Sequence, residues 1–198
     1  NYLSSYPVEH IDFDSQGNIF LGTINGVYRS INSGESWKKM NNGLGGVHIS
    51  TMYIDEHDHL YVYTTYSGTI DSLYYSTDSA GSWTNIPLTE SFYYVLDIVV
   101  RNQVIYAMNS LSDFFISTDM GENWISSNTG ISDNSLYSLH VDMDDYLYMG
   151  GRYLHRSTTN ISGNIAGDLN LDGIINILDI IEMVSLILEN SAYNELAD

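Results

Sequence analysis

Short runs in which apolar and polar residues alternate recur along the first 150 residues of the chain and predict an all-β fold. Neighbouring side chains of a strand point to opposite faces, so this alternation is typical of strands with one apolar face. The clearest runs are 18–23, 59–64, 103–108 and 146–150, and each follows another apolar run, at 8–14, 52–55, 95–100 and 139–142. The pattern predicts units of four short antiparallel strands.

An eight-residue segment that begins with serine and ends with tryptophan occurs three times. The copies span 30–37, 76–83 and 117–124, so their tryptophans are 46 and 41 residues apart. The start of a fourth copy is present at 156–159, but the rest of the pattern is not. A repeat of 40-odd residues with four strands in each unit is typical of β-propeller blades.

Within the segment, the pattern is Ser-x-Asp-x-Gly-x-x-Trp. The matching residues are Ser30, Asn32, Gly34 and Trp37 in the first copy, Ser76, Asp78 and Trp83 in the second, and Ser117, Asp119, Gly121 and Trp124 in the third. In the second copy Ala80 holds the glycine position, and Gly81 follows it. The pattern resembles the Asp-box, or BNR, repeat of sialidase-like β-propellers, and the resemblance covers about residues 8–158.

This resemblance implies a mainly β fold, a partial β-propeller of about three and a half four-stranded blades over residues 1–158. We expect the Asp or Asn to accept hydrogen bonds from backbone N–H groups of its own turn, and the Trp to pack between blades. We therefore interpret the segment as structural rather than catalytic. Residues 160–166 carry no strand pattern, so we expect residues 159–166 to be a linker. The propeller part is then either an open arc or the C-terminal part of a larger propeller whose earlier blades lie outside this chain.

The clearest candidate for binding chemistry is a run of oxygen-bearing side chains near the C-terminus. Their spacing is that of an EF-hand calcium loop, with a glycine, Gly173, at the sixth position where the loop turns sharply. The predicted ligands are Asp168, Asn170, Asp172, the backbone carbonyl of Ile174, Asn176 and Asp179. Two carboxylates about 5 Å apart repel by about 3 kcal/mol at an effective dielectric of about 20, so we expect Ca²⁺ binding and local folding to be coupled.

The same loop, followed by an apolar helical pattern, resembles the first repeat of a type I dockerin domain. The resemblance rests on Asp179 at the last loop position and on the Gly167-Asp168 start, and it covers about residues 165–198. It implies a secreted half-module, residues 167–198, that binds calcium and docks onto a cohesin-like domain or a second dockerin repeat. The loop departs from the family at Ile177 and Leu178, where hydroxyl residues often select the cohesin.

Composition narrows the choice of partners. The 198 residues contain 25 acidic and 6 basic side chains, for a formal net charge of −19, which argues against binding to nucleic acid or to an anionic membrane. There is no cysteine, so neither a disulfide framework nor thiol chemistry is expected. No apolar run approaches the length of a membrane-spanning helix.

No catalytic residue can be named from the sequence. A sialidase site uses three arginines, yet Arg29 and Arg156 precede equivalent repeat serines, which leaves only Arg101 and Arg152. His57 and His59 could bind zinc, but a polar turn is the simpler interpretation. The tyrosine-rich runs at 61–66, 74–75 and 93–94 could stack on sugar rings, although half-buried strand positions explain them as well.

The sequence thus favours a secreted or cell-surface modular protein, in which a calcium-dependent docking module follows a propeller that recognises a glycan or a protein. We expect a role in polysaccharide degradation or cell-surface assembly. One alternative is a fragment of a glycoside hydrolase that acts on O-glycosyl compounds. Another is a purely structural scaffold.

Overall fold

The computed structural model describes residues 7–65, 71–88, 92, 94–128, 135–157 and 161. These residues form fifteen antiparallel strands in four sheets, with no helix in this part of the chain. The strands, in sheet order, are β1 (Val8–Phe13), β2 (Ile19–Thr23), β3 (Gly26–Ser30) and β4 (Lys38–Lys39); β5 (His48–Ile54), β6 (Leu60–Thr65), β7 (Ser72–Ser76) and β8 (Thr84–Ile86); β9 (Val95–Arg101), β10 (Val104–Asn109), β11 (Phe114–Ser117) and β12 (Ile125–Ser126); and β13 (Leu136–Val141), β14 (Leu147–Gly151) and β15 (Leu154–Arg156).

Each sheet is a meander in which every strand pairs with the next strand along the chain. The first strands of successive sheets lie side by side, β1 against β5, β5 against β9 and β9 against β13. We call these four the inner strands. Among the described strands, β1 and β13 make no comparable contact, so the sheets form an open, propeller-like arc. The prediction of a mainly β, partial propeller is confirmed, with three four-stranded sheets and a fourth that has three described strands.

A separate apolar core fills the space between each pair of neighbouring sheets. The strand β6 shows how one sheet serves two cores, because Leu60 and Val62 pack toward the first sheet whereas Tyr61 and Tyr63 pack toward the third. Since both faces of the second and third sheets are covered, their central strands are buried along nearly their whole length. Burial of a large apolar side chain contributes about 1.5–3 kcal/mol, so these cores dominate the stability of the arc.

The predicted calcium loop–helix, with all six predicted ligands, lies outside the described residues. The same holds for most of the predicted linker. In the described part of the chain, no helix has the length and apolar character that crossing a bilayer requires.

Candidate functional site at the inner strands

The inner strands share one backbone irregularity, and it places a polar residue at the same point of every sheet. In each sheet the pairing with the second strand skips one residue, namely Glu9, Ser50, Leu96 and Tyr137. Such an extra residue is a β-bulge, which bends a strand and redirects the side chains beside it. The residues that follow the bulges are His10, Thr51, Asp97 and Ser138.

Three of these polar positions connect their sheet to the next one. His10 Nε2 donates to the Ser50 carbonyl oxygen at 2.7 Å. Thr51 Oγ1 lies 3.4 Å from Asp97 Oδ1, and the backbone N–H of Leu139 donates to Asp97 Oδ2 at 2.8 Å. The bulge positions therefore hold a chain of hydrogen bonds that runs through all four sheets.

Two carboxyl groups of the inner strands, Asp97 and Asp12, have raised pKa values. Burial raises the pKa of Asp97, although hydrogen bonds from the backbone N–H groups of Leu139 and Ile98 act in the opposite direction. Burial also raises the pKa of Asp12 on β1, against the lowering effect of the backbone N–H groups of Phe13 and Ile54. A raised carboxyl pKa is a common property of general acids. Here, however, the oxygens of Asp97 are occupied by groups of neighbouring sheets.

A second recurring position lies at the end of each inner strand or directly after it, four residues beyond the post-bulge residue. Aspartate occupies it in three sheets, and its Oδ1 accepts two backbone N–H groups of the turn. Asp55, for example, accepts from His57 at 2.9 Å and from His59 at 2.8 Å. The equivalent aspartates are Asp14 and Asp142.

In the third sheet this position is Arg101, and its side chain joins three sheets. Its Nε donates to Asp145 Oδ1 of the fourth sheet, and its Nη1 lies 3.6 Å from Glu56 Oε2 of the second sheet. The backbone N–H of Asn102 donates to the other oxygen of Glu56 at 2.9 Å. The β9–β10 turn consists of Asn102 and Gln103, both with positive φ, and is too short to contain a capping aspartate.

A group of potential metal ligands lies beside this network. One ligand atom each from Asp55, Glu56 and His57 fall within 4.8 Å of one another. The carboxylate of Asp55 also accepts from Tyr61 Oη at 3.3 Å and lies 3.1 Å from His59 Nδ1. These contacts agree with the polar turn that the sequence favours. The carboxylate of Asp55 is already hydrogen-bonded within that turn and to the strand that follows it.

The serine-to-tryptophan segments, which we call the repeat turns, form three nearly identical loops between the third and fourth strands of their sheets. In the second copy, Ser76 Oγ donates to Asp78 Oδ1 at 2.8 Å, and the Ser82 backbone N–H donates to the same oxygen at 2.8 Å. The first and third copies make the same two bonds around Asn32 and Asp119, at 2.9–3.0 Å. The expected local hydrogen bonding of these turns is thus present.

The tryptophans of the second and third repeat turns lie between sheets. Trp83 Nε1 donates to the carbonyl oxygen of Met40 at 2.7 Å, and Trp124 Nε1 donates to that of Pro87 at 2.9 Å. Each acceptor directly follows the last strand of the preceding sheet. The second and third repeat turns therefore fasten their sheets to the preceding sheet, on the outer side of the arc.

The sugar-stacking interpretation fails for most of the described tyrosines. Tyr61, Tyr63 and Tyr74 are buried in the cores between sheets. Among the described residues, the only exposed tyrosines are Tyr137 and Tyr153, both in the fourth sheet.

The four arginines do not converge on one site. Arg29 donates to the Ser79 carbonyl oxygen of the next sheet at 2.8 Å, and Arg156 lies over the ring of Tyr146. Arg152 lies beside Tyr153, with its guanidinium carbon 5.6 Å from the ring centre. Sequence reasoning singled out Arg101 but missed its partners, Glu56 and Asp145. The signal that could have identified this site is the replacement of the turn aspartate by arginine in one repeat.

Neither a protein-family model nor a curated protein sequence matches this chain. Solved structures do match. A GH74 enzyme from Niastella koreensis superposes with a TM-score of 0.61 at 17% identity, over 76% of this chain and 28% of that enzyme. The extracellular domain of the putative one-component system BT4673 from B. thetaiotaomicron gives 0.60 at 14%, over 80% and 22% of the two chains.

A third match is YCF48 from Cyanidioschyzon merolae, with a TM-score of 0.53 at 15% identity, over 84% of this chain and 60% of that protein. The chain thus spans less than two thirds of the length of each of these proteins. At such identities the likeness concerns the fold alone. This chain folds as a propeller-like arc of four β-sheets, similar to part of each of these larger proteins.

Proposed function

We propose that this chain is a non-catalytic recognition scaffold of the Asp-box type, which binds glycans through its fourth sheet and carries a calcium-dependent docking module at its C-terminus. Its place of action would be outside the cell or at the cell surface, in polysaccharide degradation or surface assembly. The observation that carries the recognition part is the exposure of Tyr137 and Tyr153, at 67% and 60%, in a structure whose other described tyrosines are buried or half-buried.

Aromatic rings held on a rigid sheet can stack on sugar rings at little entropic cost, since only the side-chain torsions are fixed on binding. Tyr137 occupies a bulge on β13, and Tyr153 lies in the β14–β15 hairpin next to Arg152. The guanidinium adds a donor for sugar hydroxyl or carboxylate oxygens. The carboxylate of Asp97 contacts Thr51 of the second sheet and accepts from the N–H of Leu139 in the fourth sheet. These contacts support a structural rather than a catalytic role for it.

Glycan binding is tested with the full chain by affinity electrophoresis in gels that contain xyloglucan, cellulose derivatives or pectin. We expect retardation on at least one polysaccharide, and its loss in Tyr137→Ala/Tyr153→Ala. Ile125→Ala is the matched control, because Ile125 is an equally exposed apolar residue on β12. Equal retardation of the double variant and the wild type would contradict the assignment of these rings.

The docking part rests on the calcium loop of the sequence. Titration of the full chain with Ca²⁺ should show one site with a Kd of about 10⁻⁶ to 10⁻³ M. Asp172→Ala/Asp179→Ala should abolish it, whereas the control Glu122→Ala/Asp144→Ala removes two exposed charges elsewhere and should bind normally. A cohesin-like domain, or a second dockerin repeat, would then bind only in the presence of calcium. Identical heat for the loop variant and the wild type would refute the site.

The fold similarity to GH74 enzymes favours one second candidate, a portion of a glycoside hydrolase whose catalytic residues are still unassigned. Measuring the release of reducing ends from the same polysaccharides distinguishes the scaffold from the enzyme. Turnover by the full chain would replace the scaffold proposal with the enzyme.

A further inference from the structure

The turn after the second inner strand shares its backbone with the equivalent turns of the first and fourth sheets. In turns 14–18, 55–59 and 142–146, the first aspartate accepts the N–H groups of the third and fifth residues at 2.8–3.0 Å. The fourth residue has a positive φ in each of these turns, from 61° to 79°. The aspartate and this backbone conformation are therefore what the three turns have in common.

The other side chains of the three turns differ in their chemistry. Their second, third and fifth residues are, in chain order, Ser15, Gln16 and Asn18; Glu56, His57 and His59; and Met143, Asp144 and Tyr146. Of these turns, only the second combines carboxylates with imidazoles. Because the first and fourth sheets form the same turn without imidazoles, the turn itself does not explain the histidines of the second sheet.

Three side chains of the second turn bring possible ligand atoms together. One ligand atom each of Asp55, Glu56 and His57 lie within 4.8 Å of one another, and the described residues contain no other group of this kind. His57 Nδ1 lies 3.7 Å from Glu56 Oε1. Zinc binds nitrogen and oxygen at about 2.0–2.2 Å, so two of its ligand atoms at the tetrahedral angle are roughly 3.3 Å apart. The side chains of Glu56 and His57 are partly exposed and can rotate to close the remaining distance.

Asp55 is the fixed member of the group, and its side chain is only 4% exposed. Its Oδ2 lies 3.1 Å from His59 Nδ1 and accepts from Tyr61 Oη at 3.3 Å. Hydrogen bonds between two oxygens usually measure about 2.5–3.0 Å, so Tyr61 is a weak partner that an ion can replace. A contact such as that of His59 is typical of the outer shell of metal sites, where it orients a ligating carboxylate.

The carboxylate of Glu56 is also oriented, by groups of the third sheet. Its Oε2 lies 3.6 Å from Arg101 Nη1, while Oε1 accepts the N–H of Asn102 at 2.9 Å and faces His57. Arg101 also pairs with Asp145, so its single charge does not neutralise both acids of the ligand group. An ion bound to Oε1 would therefore meet a net negative charge and would be anchored to two sheets.

We propose that Asp55, Glu56 and His57 bind a divalent transition-metal ion such as Zn²⁺, with His59 orienting Asp55. A mixed set of imidazole and carboxylate ligands suits zinc, whereas Ca²⁺ and Mg²⁺ are bound by oxygen atoms. Three protein ligands leave one coordination position for water or for an oxygen atom of a bound molecule. The site is built entirely from the second turn and is independent of the predicted calcium loop.

Calorimetric titration of the untagged full chain with Zn²⁺ tests the proposal, in millimolar Ca²⁺ so that the predicted calcium loop is filled. We expect one zinc site. His57→Gln and Glu56→Ser introduce the residues that the first sheet has in the same turn, Gln16 and Ser15, so they remove a ligand and keep the turn. Each should raise the Kd for Zn²⁺ about tenfold or more, because even outer-shell partners contribute about 10–100-fold. His140→Gln removes an exposed imidazole of β13 and should bind Zn²⁺ normally.

Stability provides a second measurement. Zn²⁺ should raise the midpoint of urea unfolding of the wild type but not that of His57→Gln, because it binds the folded state. The same curves without zinc establish that each variant is folded. Absence of zinc binding by the folded wild type would overturn the proposal, and so would an unchanged zinc affinity in His57→Gln and Glu56→Ser. Loss of zinc binding in Asp172→Ala/Asp179→Ala would also overturn it, since this result assigns the ion to the calcium loop.

Discussion

The indole N–H of Trp83 donates to the carbonyl oxygen of Met40 across the boundary between the second and first sheets, at 2.7 Å. Trp83 is only 7% exposed, so this bond is made in an apolar environment where neither group can turn to water. Trp124 repeats the arrangement one sheet further on, with Pro87 as acceptor. The repeat turn therefore has two functions, since it closes its own hairpin and fastens its sheet to the preceding one.

Replacement of Trp83 by phenylalanine should lower the free energy of unfolding by about 2 kcal/mol, because the Met40 carbonyl is left buried without a donor. Trp37→Phe is the matched control, and it should change stability by no more than about 0.5 kcal/mol. Both are measured by urea unfolding of the full chain. Equal losses in the two variants would show that ring size, rather than the hydrogen bond, determines the contribution.

The repeat-turn glycines offer a second contrast between open and covered positions. A Cβ on Gly121 would collide with Ile86 and approach the Pro87 carbonyl oxygen to 2.8 Å, while a Cβ on Gly34 would meet nothing closer than Trp37, at 3.6 Å. Both residues have φ of +87°. Gly121→Ala should therefore cost about 3 kcal/mol, and Gly34→Ala about 1 kcal/mol from backbone strain alone. Thermal unfolding of the two variants measures the difference, and a Gly34→Ala loss as large as that of Gly121→Ala would contradict it.

Arg101 should couple the second, third and fourth sheets. Arg101→Met is expected to lower stability by about 1 kcal/mol, and a double-mutant cycle with Asp145→Asn should give a coupling free energy of similar size that declines with added salt. Arg152→Met removes an exposed arginine of the fourth sheet and should have little effect. A coupling free energy of zero at low salt would show that the Arg101–Asp145 ion pair does not stabilise the contact between the third and fourth sheets.

The two kinds of aspartate should respond to pH in opposite directions. Because the folded-state pKa of Asp97 is raised by burial, its contribution is fully present below the unfolded-state pKa and is lost as the pH rises through the folded-state value. The pKa of Asp78 is lowered to about 2, first by the backbone and side-chain hydrogen bonds of Ser82, so its contribution is present above the unfolded-state pKa and is lost as the pH falls toward 2.

Asp97→Asn should therefore remove the loss of stability that the wild type shows as the pH rises through the folded-state pKa of Asp97. Its amide oxygen can still accept from Leu139, although its NH2 group would then face the Ile98 N–H that Oδ1 accepts in the wild type. Asp78→Asn should reduce the loss of stability in acid, and Asn32 shows that an amide fits this turn. Chemical denaturation between about pH 3 and 7 checks both expectations. A stability of Asp97→Asn that declines with rising pH as steeply as that of the wild type would contradict the raised pKa of Asp97.

Sequence patterns predicted the local structure of this protein well. Alternation located the strands, and the spacing of Ser30, Asn32 and Trp37 in three copies identified the repeat turns. Each of those turns forms its hydrogen bonds within eight residues, so a short window of sequence contains both donor and acceptor. The calcium loop has the same local character and stays a prediction, because its residues lie outside the described part of the chain.

The partners between sheets could not be predicted in this way. Arg101 and Asp145 are 44 residues apart, and the chain contains many acidic residues that could pair with an arginine. Likewise, Ile11 and Ile98 have the same side chain in equivalent strand positions, yet one is exposed and the other is buried. Local hydrogen bonding and strand periodicity depend on neighbours along the chain and can be derived from residue order. Burial and ion pairing depend on which sheets stand next to one another, and only the packing of the whole arc decides that.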